Sequence, residues 1–171
     1  MLWQYILTTL SAILFFGFVI ISVRKFGLLD CYSAYGPAWG SVTPGVKGFN
    51  IWSLVTVLSA FLLVPVSVGV ADGSPWQFAG FLCPVLILFV GLTPDYKEDK
   101  MAGIIHLVCA SLGAVLAIVY ILCVFPHLWW LLVLYVVLAV IFTLATGIRF
   151  WCFWFEMAAY AGIYTTVFLM I

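Results

Sequence analysis

Six apolar stretches, about 2–23, 50–71, 76–94, 102–125, 128–148 and 150–171, run along the chain with short polar breaks between most of them. Each is long enough to cross a bilayer as a helix, which takes about 20 predominantly apolar residues. Lipid offers a backbone no hydrogen-bond partner, so the choice lies between helices and a closed barrel. Runs such as Leu131 to Leu144 lack the in-out alternation of a barrel strand. The pattern therefore predicts an all-α polytopic bundle of six transmembrane helices, a single domain over 1–171. The breaks fall at Asp72-Gly73-Ser74-Pro75, from Pro94-Asp95 to Lys100, at Pro126-His127 and at Gly147-Ile148-Arg149, which are turn-forming clusters. The first stretch has no basic segment before it and five more behind it, so it reads as a span rather than a cleaved signal.

One connection is long. Residues 24–49 are rich in glycine (Gly27, Gly36, Gly40, Gly45, Gly48) and in aromatics (Phe26, Tyr32, Tyr35, Trp39, Phe49), with few charges in the middle. Such a segment is poorly suited to float in water, and it is expected to lie on, or dip into, one face of the bundle. A loop of this length serves either a function or a crossover between helices that are not neighbours.

Composition sharpens the picture. Apolar residues make up 67% of the 171 and charged residues 7%, where a soluble domain carries about a quarter charged. Six basic and six acidic residues cancel, so nucleic acid is not an expected partner. All six basic residues fall on one side: Arg24, Lys25 and Lys47 in the first connection, Lys97 and Lys100 in the third, Arg149 in the fifth. The positive-inside rule then places those connections in the cytoplasm and both termini outside. Trp3, Trp76, Trp129 and Trp130 would mark the outer interface and Trp39, Trp52, Trp151 and Trp154 the inner one. The compact loops fit a bacterial inner membrane. The five cysteines, Cys31, Cys83, Cys109, Cys123 and Cys152, contain no C-x-x-C pair, so neither a disulfide framework nor a zinc site can be read from them.

Ionisable residues inside spans carry the functional expectation. Glu156 and His106 lie roughly 6 to 9 Å inside the cytoplasmic ends of the sixth and fourth spans at 1.5 Å per residue. A carboxyl group in hydrocarbon is either neutral or has a cationic or hydrogen-bonding partner, and His106 is the candidate partner. Arg149, Glu156, Tyr160 and Tyr164, at spacings of seven, four and four, would share a helix face. His106 precedes Ala110, Gly113, Ala114 and Ala117, small residues that let helices approach closely. Asn50, Ser53, Thr56 and Ser59 add a polar stripe, and Asp95 follows a proline in the third connection, within reach of the same pocket. The plain alternative is that Glu156 pairs with Arg149 or His106 to hold helix register and the hydroxyls bond their own helix.

No nucleophile elbow, zinc-protease helix or phosphate loop occurs in the sequence. No metal site and no cofactor is expected. Gly91-Leu92-Thr93-Pro94-Asp95 and then Gly103-Ile104-Ile105-His106-Leu107-Val108-Cys109-Ala110 resemble the proline-acid turn and G-x-x-H-x-x-x-A helix of some small six-helix bacterial membrane proteins of unknown function. The resemblance implies that Asp95 and His106 share a site and supplies no activity. Three classes follow as expectations. One is a small transporter or channel-like protein, proton-linked through His106 and Glu156 and enclosed as a homo-oligomer. Another is an intramembrane enzyme acting on a lipid whose headgroup meets Arg24, Lys25 and Lys47. The last is a non-catalytic membrane subunit or regulator.

Overall fold

A computed structural model describes residues 2–40 and 50–171; Lys47 lies outside them. Among the described residues the chain is all-helical, with no strand. The helices are α1 (Leu2–Phe26), α2 (Tyr35–Trp39), α3 (Ile51–Val70), α4 (Gln77–Gly91), α5 (Lys100–Val119), α6 (Trp129–Thr146) and α7 (Trp151–Met170). A π-helical turn, Tyr120–Val124, extends α5, and short 3-10 turns precede α2, α6 and α7.

Five of these elements are long and apolar enough to cross a membrane: Leu2–Phe26, Ile51–Val70, Lys100–Val124, Pro126–Thr146 and Ile148–Met170. The stretch 76–94, expected as a full span, is α-helical only over the 15 residues Gln77–Gly91. That is about 22 Å at 1.5 Å per residue, short of a hydrocarbon core of about 30 Å. Its end has a local cause, since Thr93 precedes Pro94 and a residue before proline is pushed out of the helical region. The first helix runs further than expected, so Arg24 and Lys25 fall in the last turn of α1, where cations favour the helix dipole. Leu2, Ile13, Leu107 and Leu144 are among many large apolar side chains left exposed. Water would penalise such a girdle, and acyl chains would not.

Helices α1, α3, α4 and α5 pack side by side in chain order, and α6 pairs with α7. Glycine decides how tightly α3 and α4 meet. A Cβ on Gly80 would lie 2.7 Å from the Ser67 carbonyl oxygen, and one on Gly91 would lie 3.0 Å from Thr56 Cβ. These glycines are three helical turns apart on one face of α4, and they bring two backbones together. Ser67 donates to the Gly80 carbonyl at 2.6 Å, and the Tyr120 hydroxyl donates to the Ser67 carbonyl at 2.9 Å. The α3 stripe of Asn50, Ser53, Thr56 and Ser59 is buried in packed contacts. Thr56 and Ser59 bond carbonyls of their own helix, and Ser11 of α1 donates to the Ser59 carbonyl at 2.7 Å.

Asn50 starts α3. Its Oδ1 accepts from Ser53 N at 2.9 Å, and its Nδ2 donates to the Gly36 carbonyl at 2.7 Å. The loop after α1 and the start of α3 are thus clamped by one side chain. Asn50→Ala is expected to lower stability by about 2 kcal/mol, combining a lost N-cap and an unpaired buried carbonyl. Asn50→Asp, which keeps the cap acceptor, should recover part of the loss. Thermal unfolding of the two variants in one detergent checks this.

Candidate functional site

The described part of the first connection folds back into the bundle. Tyr32 and Tyr35 are fully buried, the Tyr35 hydroxyl donates to the Gly27 carbonyl at 2.8 Å, and Gly27 takes a positive φ of 76° that glycine adopts without strain. Tyr32 is the hub. Its hydroxyl is 2.8 Å from Thr56 Oγ1 of α3, and its ring packs on Phe15 of α1 and Trp52 of α3. Its backbone N–H donates to Glu156 Oε2. Next to it, Phe153 N donates to the Asp30 carbonyl at 3.0 Å, so the loop is stitched to the first turn of α7.

Glu156 is thereby held by a loop amide rather than by His106. The histidine points elsewhere: its Nδ1 is 3.0 Å from Thr93 Oγ1, and its ring stacks on Tyr96 at 4.1 Å between centroids and on Trp52 at 6.5 Å. The expected pair therefore occupies two separate hydrogen-bond sets with Tyr96 and the Tyr32 loop in between. Tyr96 links them, because its hydroxyl lies 3.4 Å from Ser33 Oγ and 3.9 Å from Cys31 Sγ. Burial pushes this phenol up, and its oxygen accepts from the Ser33 hydroxyl.

The other expected site residues separate. Tyr160 joins Glu156, one turn deeper in α7, with its ring 4.0 Å from Phe15. Arg149 does not share their face. It belongs to the 3-10 turn Ile148–Phe150 ahead of α7, where helical spacing no longer applies, and its exposed guanidinium sits 4.4 Å over the Phe150 ring. Asp95 is half-buried in the α4–α5 turn, where its carbonyl accepts from Glu98 N and Asp99 N. Arg24 and Lys25 are exposed, with the Lys25 ammonium 3.9 Å from the Trp39 ring centroid. Trp52, expected at an interface, is instead fully buried. Gly36 makes room for it, since a Cβ there would lie 3.1 Å from the indole.

The small residues of α5 serve a helix contact and a space at once. Gly113 lies against α4, where Cys83 Sγ donates to its carbonyl at 3.5 Å, and Ala110, Gly113, Ala114 and Ala117 also line a cavity of about 530 Å³ whose far wall is Ala158, Ala159 and Gly162 of α7. The α6–α7 hairpin meets α5 only sparsely, and small side chains on both walls leave the gap unfilled. The lining is almost wholly apolar and includes Glu156, Tyr160, Cys152 and Ser111. Leu107, Ser111, Ala114 and Ile118 of α5 and Trp151 and Phe155 of α7 belong both to the lining and to the exposed surface, so the cavity opens on the flank of the bundle. Glu156 Oε1 and the Tyr160 hydroxyl make no hydrogen bond within the described protein.

Sequence reasoning missed Tyr32, Cys31 and Tyr96. The available signal was the run Asp30-Cys31-Tyr32-Ser33, the densest set of polar and aromatic groups in the long connection. Comparison with protein-family models, with curated proteins and with solved structures found no match. Fold and composition therefore define the class on their own: an all-α protein with several helices fit to cross a membrane, compatible with an integral, multi-pass membrane protein.

Proposed function

We propose that this membrane protein captures a lipid, drawing one acyl or isoprenoid tail into the cavity between α5 and α7 and hydrogen-bonding its polar end through Glu156 and Tyr160. The observation that carries the reading is the cavity itself. At about 530 Å³ it falls within the roughly 300 to 1,000 Å³ of ligand sites, and it opens sideways on an apolar flank. Glu156 is five residues from the start of α7, about 8 Å from that end, within reach of a group at the headgroup boundary.

Selectivity follows from the surroundings. A tail leaving the bilayer for this cavity exchanges one apolar medium for another, so its burial contributes packing rather than a hydrophobic gain. The polar end must then discriminate. A free carboxylate oxygen accepts, so the favoured lipid carries a hydroxyl or an amine, and at low dielectric that bond is stronger than in water.

The transporter class needs a hydrated path, and this lining holds few polar groups for one. The enzyme class, with His106 as general base oriented by Glu156, lacks the contact between them, since Glu156 accepts from Tyr32 N and His106 faces Thr93. Binding is what both retain. The full topology belongs to the same proposal: α4 completes six membrane segments, the first, third and fifth connections face the cytoplasm, and the bilayer is the partner. One chain supplies the whole lining, so no second copy is invoked.

The test uses vesicles carrying a phospholipid with a photoreactive group in its tail. Irradiation of the reconstituted protein should label peptides of α5 and α7 that line the cavity. Ala114→Phe, which fills the mouth, should reduce that labelling at least tenfold while leaving the unfolding temperature near that of the parent. Equal labelling of parent and variant, or labelling spread evenly over all exposed helix faces, would reject the reading.

A further inference from the structure

Cys31 and Cys152 are 121 positions apart in sequence and meet beside Glu156. Two bonds hold the backbones around them together: Phe153 N donates to the Asp30 carbonyl at 3.0 Å, and Tyr32 N donates to Glu156 Oε2. Both are free thiols, and both are half-buried, so a small reagent can reach them. Cys83 and Cys109 are buried, and Cys123 lies exposed in the π-helical turn at the opposite end of α5 from Tyr96. Thiolate character and access select which cysteines oxidise. The neighbouring Cys152 thiol, with the Ser33 hydroxyl at 3.3 Å, the Ala34 N–H and the Tyr96 hydroxyl at 3.9 Å, holds Cys31 below the usual thiol range against the opposing effect of burial.

We infer that Cys31 and Cys152 form a site of reversible oxidative modification, closed to a disulfide by a low-molecular-weight disulfide such as oxidised glutathione. Cys31, whose sulfur the Ser33 and Tyr96 hydroxyls contact, attacks one sulfur of the reagent as a thiolate, forming a mixed disulfide and expelling one glutathione thiolate. Cys152 loses its proton and attacks the Cys31 sulfur, forming the Cys31–Cys152 bond and expelling the second glutathione thiolate. The two protons released by the cysteines protonate the two expelled thiolates. The protein dithiol is oxidised by two electrons, and the reagent is reduced to two thiols. In a reducing cytoplasm, where the proposed topology places this connection, the bond would be transient and would respond to oxidative load.

Because Cys152 lies one helical turn before Glu156, the bond would tie the Tyr32 loop to the wall of the cavity and restrain both together. This inference does not depend on what the cavity binds. The experiment uses the full chain in detergent, carrying Cys123→Ala to remove the exposed thiol, and titrates it with oxidised glutathione. After quenching, mass spectrometry maps the cysteines. The Cys31 and Cys152 thiols should disappear together, a linked peptide pair carrying both should appear, and dithiothreitol should restore both. Cys152→Ser should stop the reaction at a glutathione adduct on Cys31, and Cys31→Ser should slow modification of Cys152 at least tenfold. Separate adducts on the two residues of the parent, a bond from either to a different cysteine, or persistence of both thiols under conditions that modify Cys123 in the unsubstituted chain would overturn the inference. Mapping of the parent needs no substitution at either residue, so a misfolded variant cannot decide the result.

Discussion

Gly80→Ala will destabilise the protein more than any other single-methyl change in the α3–α4 contact, by about 1 to 3 kcal/mol in line with overpacking of a tight core. The added Cβ would start 2.7 Å from the Ser67 carbonyl oxygen and 2.9 Å from Tyr120 Cε2. The first obstacle is backbone and cannot rotate away. Relief requires α4 to move off α3, and that movement stretches the 2.6 Å bond from Ser67 to the Gly80 carbonyl and the 2.9 Å bond from Tyr120 to the Ser67 carbonyl. Gly113→Ala is the control, because its Cβ meets nothing closer than Leu86 Cβ at 3.6 Å. Thermal unfolding in detergent should show a clear drop for Gly80→Ala and little change for Gly113→Ala. Equal stability of the two variants would mean that the α3–α4 contact is not the tight one described.

Glu156→Leu should have the second large effect, and on two readouts. Removing the carboxylate leaves the Tyr32 amide without its acceptor, and an orphaned buried donor costs about 1 to 3 kcal/mol. The variant should also lose its preference for tails attached to a hydroxyl or an amine, while a plain hydrocarbon photoprobe still labels α5 and α7. Glu156→Gln retains a carbonyl oxygen and should preserve most of the stability, since that oxygen can still accept from Tyr32. The Gln amide presents a donor to the cavity in place of the free carboxylate oxygen, so selectivity should weaken or shift towards lipids with acceptor groups. If Glu156→Leu keeps both the stability and the selectivity of the parent, the Tyr32 contact has no energetic weight and the carboxylate does not discriminate lipids.

Fold class was legible because long apolar runs have few physical solutions in hydrocarbon. A helix end was legible where glycine forces it, since Gly147 closes α6 with a φ of 116°. The length of α4 was not. An apolar run of 19 residues over 76–94 looks like a span by composition, but its last residues leave the helix for the turn that holds Thr93 against His106. Glu156 and Tyr160 were legible as polar groups inside a span. Their partner was not, because Tyr32 acts through its backbone amide and every residue except proline has one. The error over Arg149 has the same kind of origin, since spacing carries meaning only within a continuous helix, and α7 begins at Trp151.

By itself the sequence determined that the chain is helical, apolar and built of several long hydrophobic segments, because composition and run length alone limit what a backbone can do in lipid. The tertiary structure decided which small residues close a contact and which leave a space. Gly80 and Gly91 let α4 lie so close to α3 that a Cβ would meet its neighbour at 3.0 Å or less, whereas Gly113 and Gly162 leave ordinary contact distances of 3.6 Å and border the cavity. Nothing in a glycine tells these cases apart, because the outcome depends on how closely the neighbouring helix is seated. That depends on how the loop around Tyr32 ties α7 to the rest of the bundle.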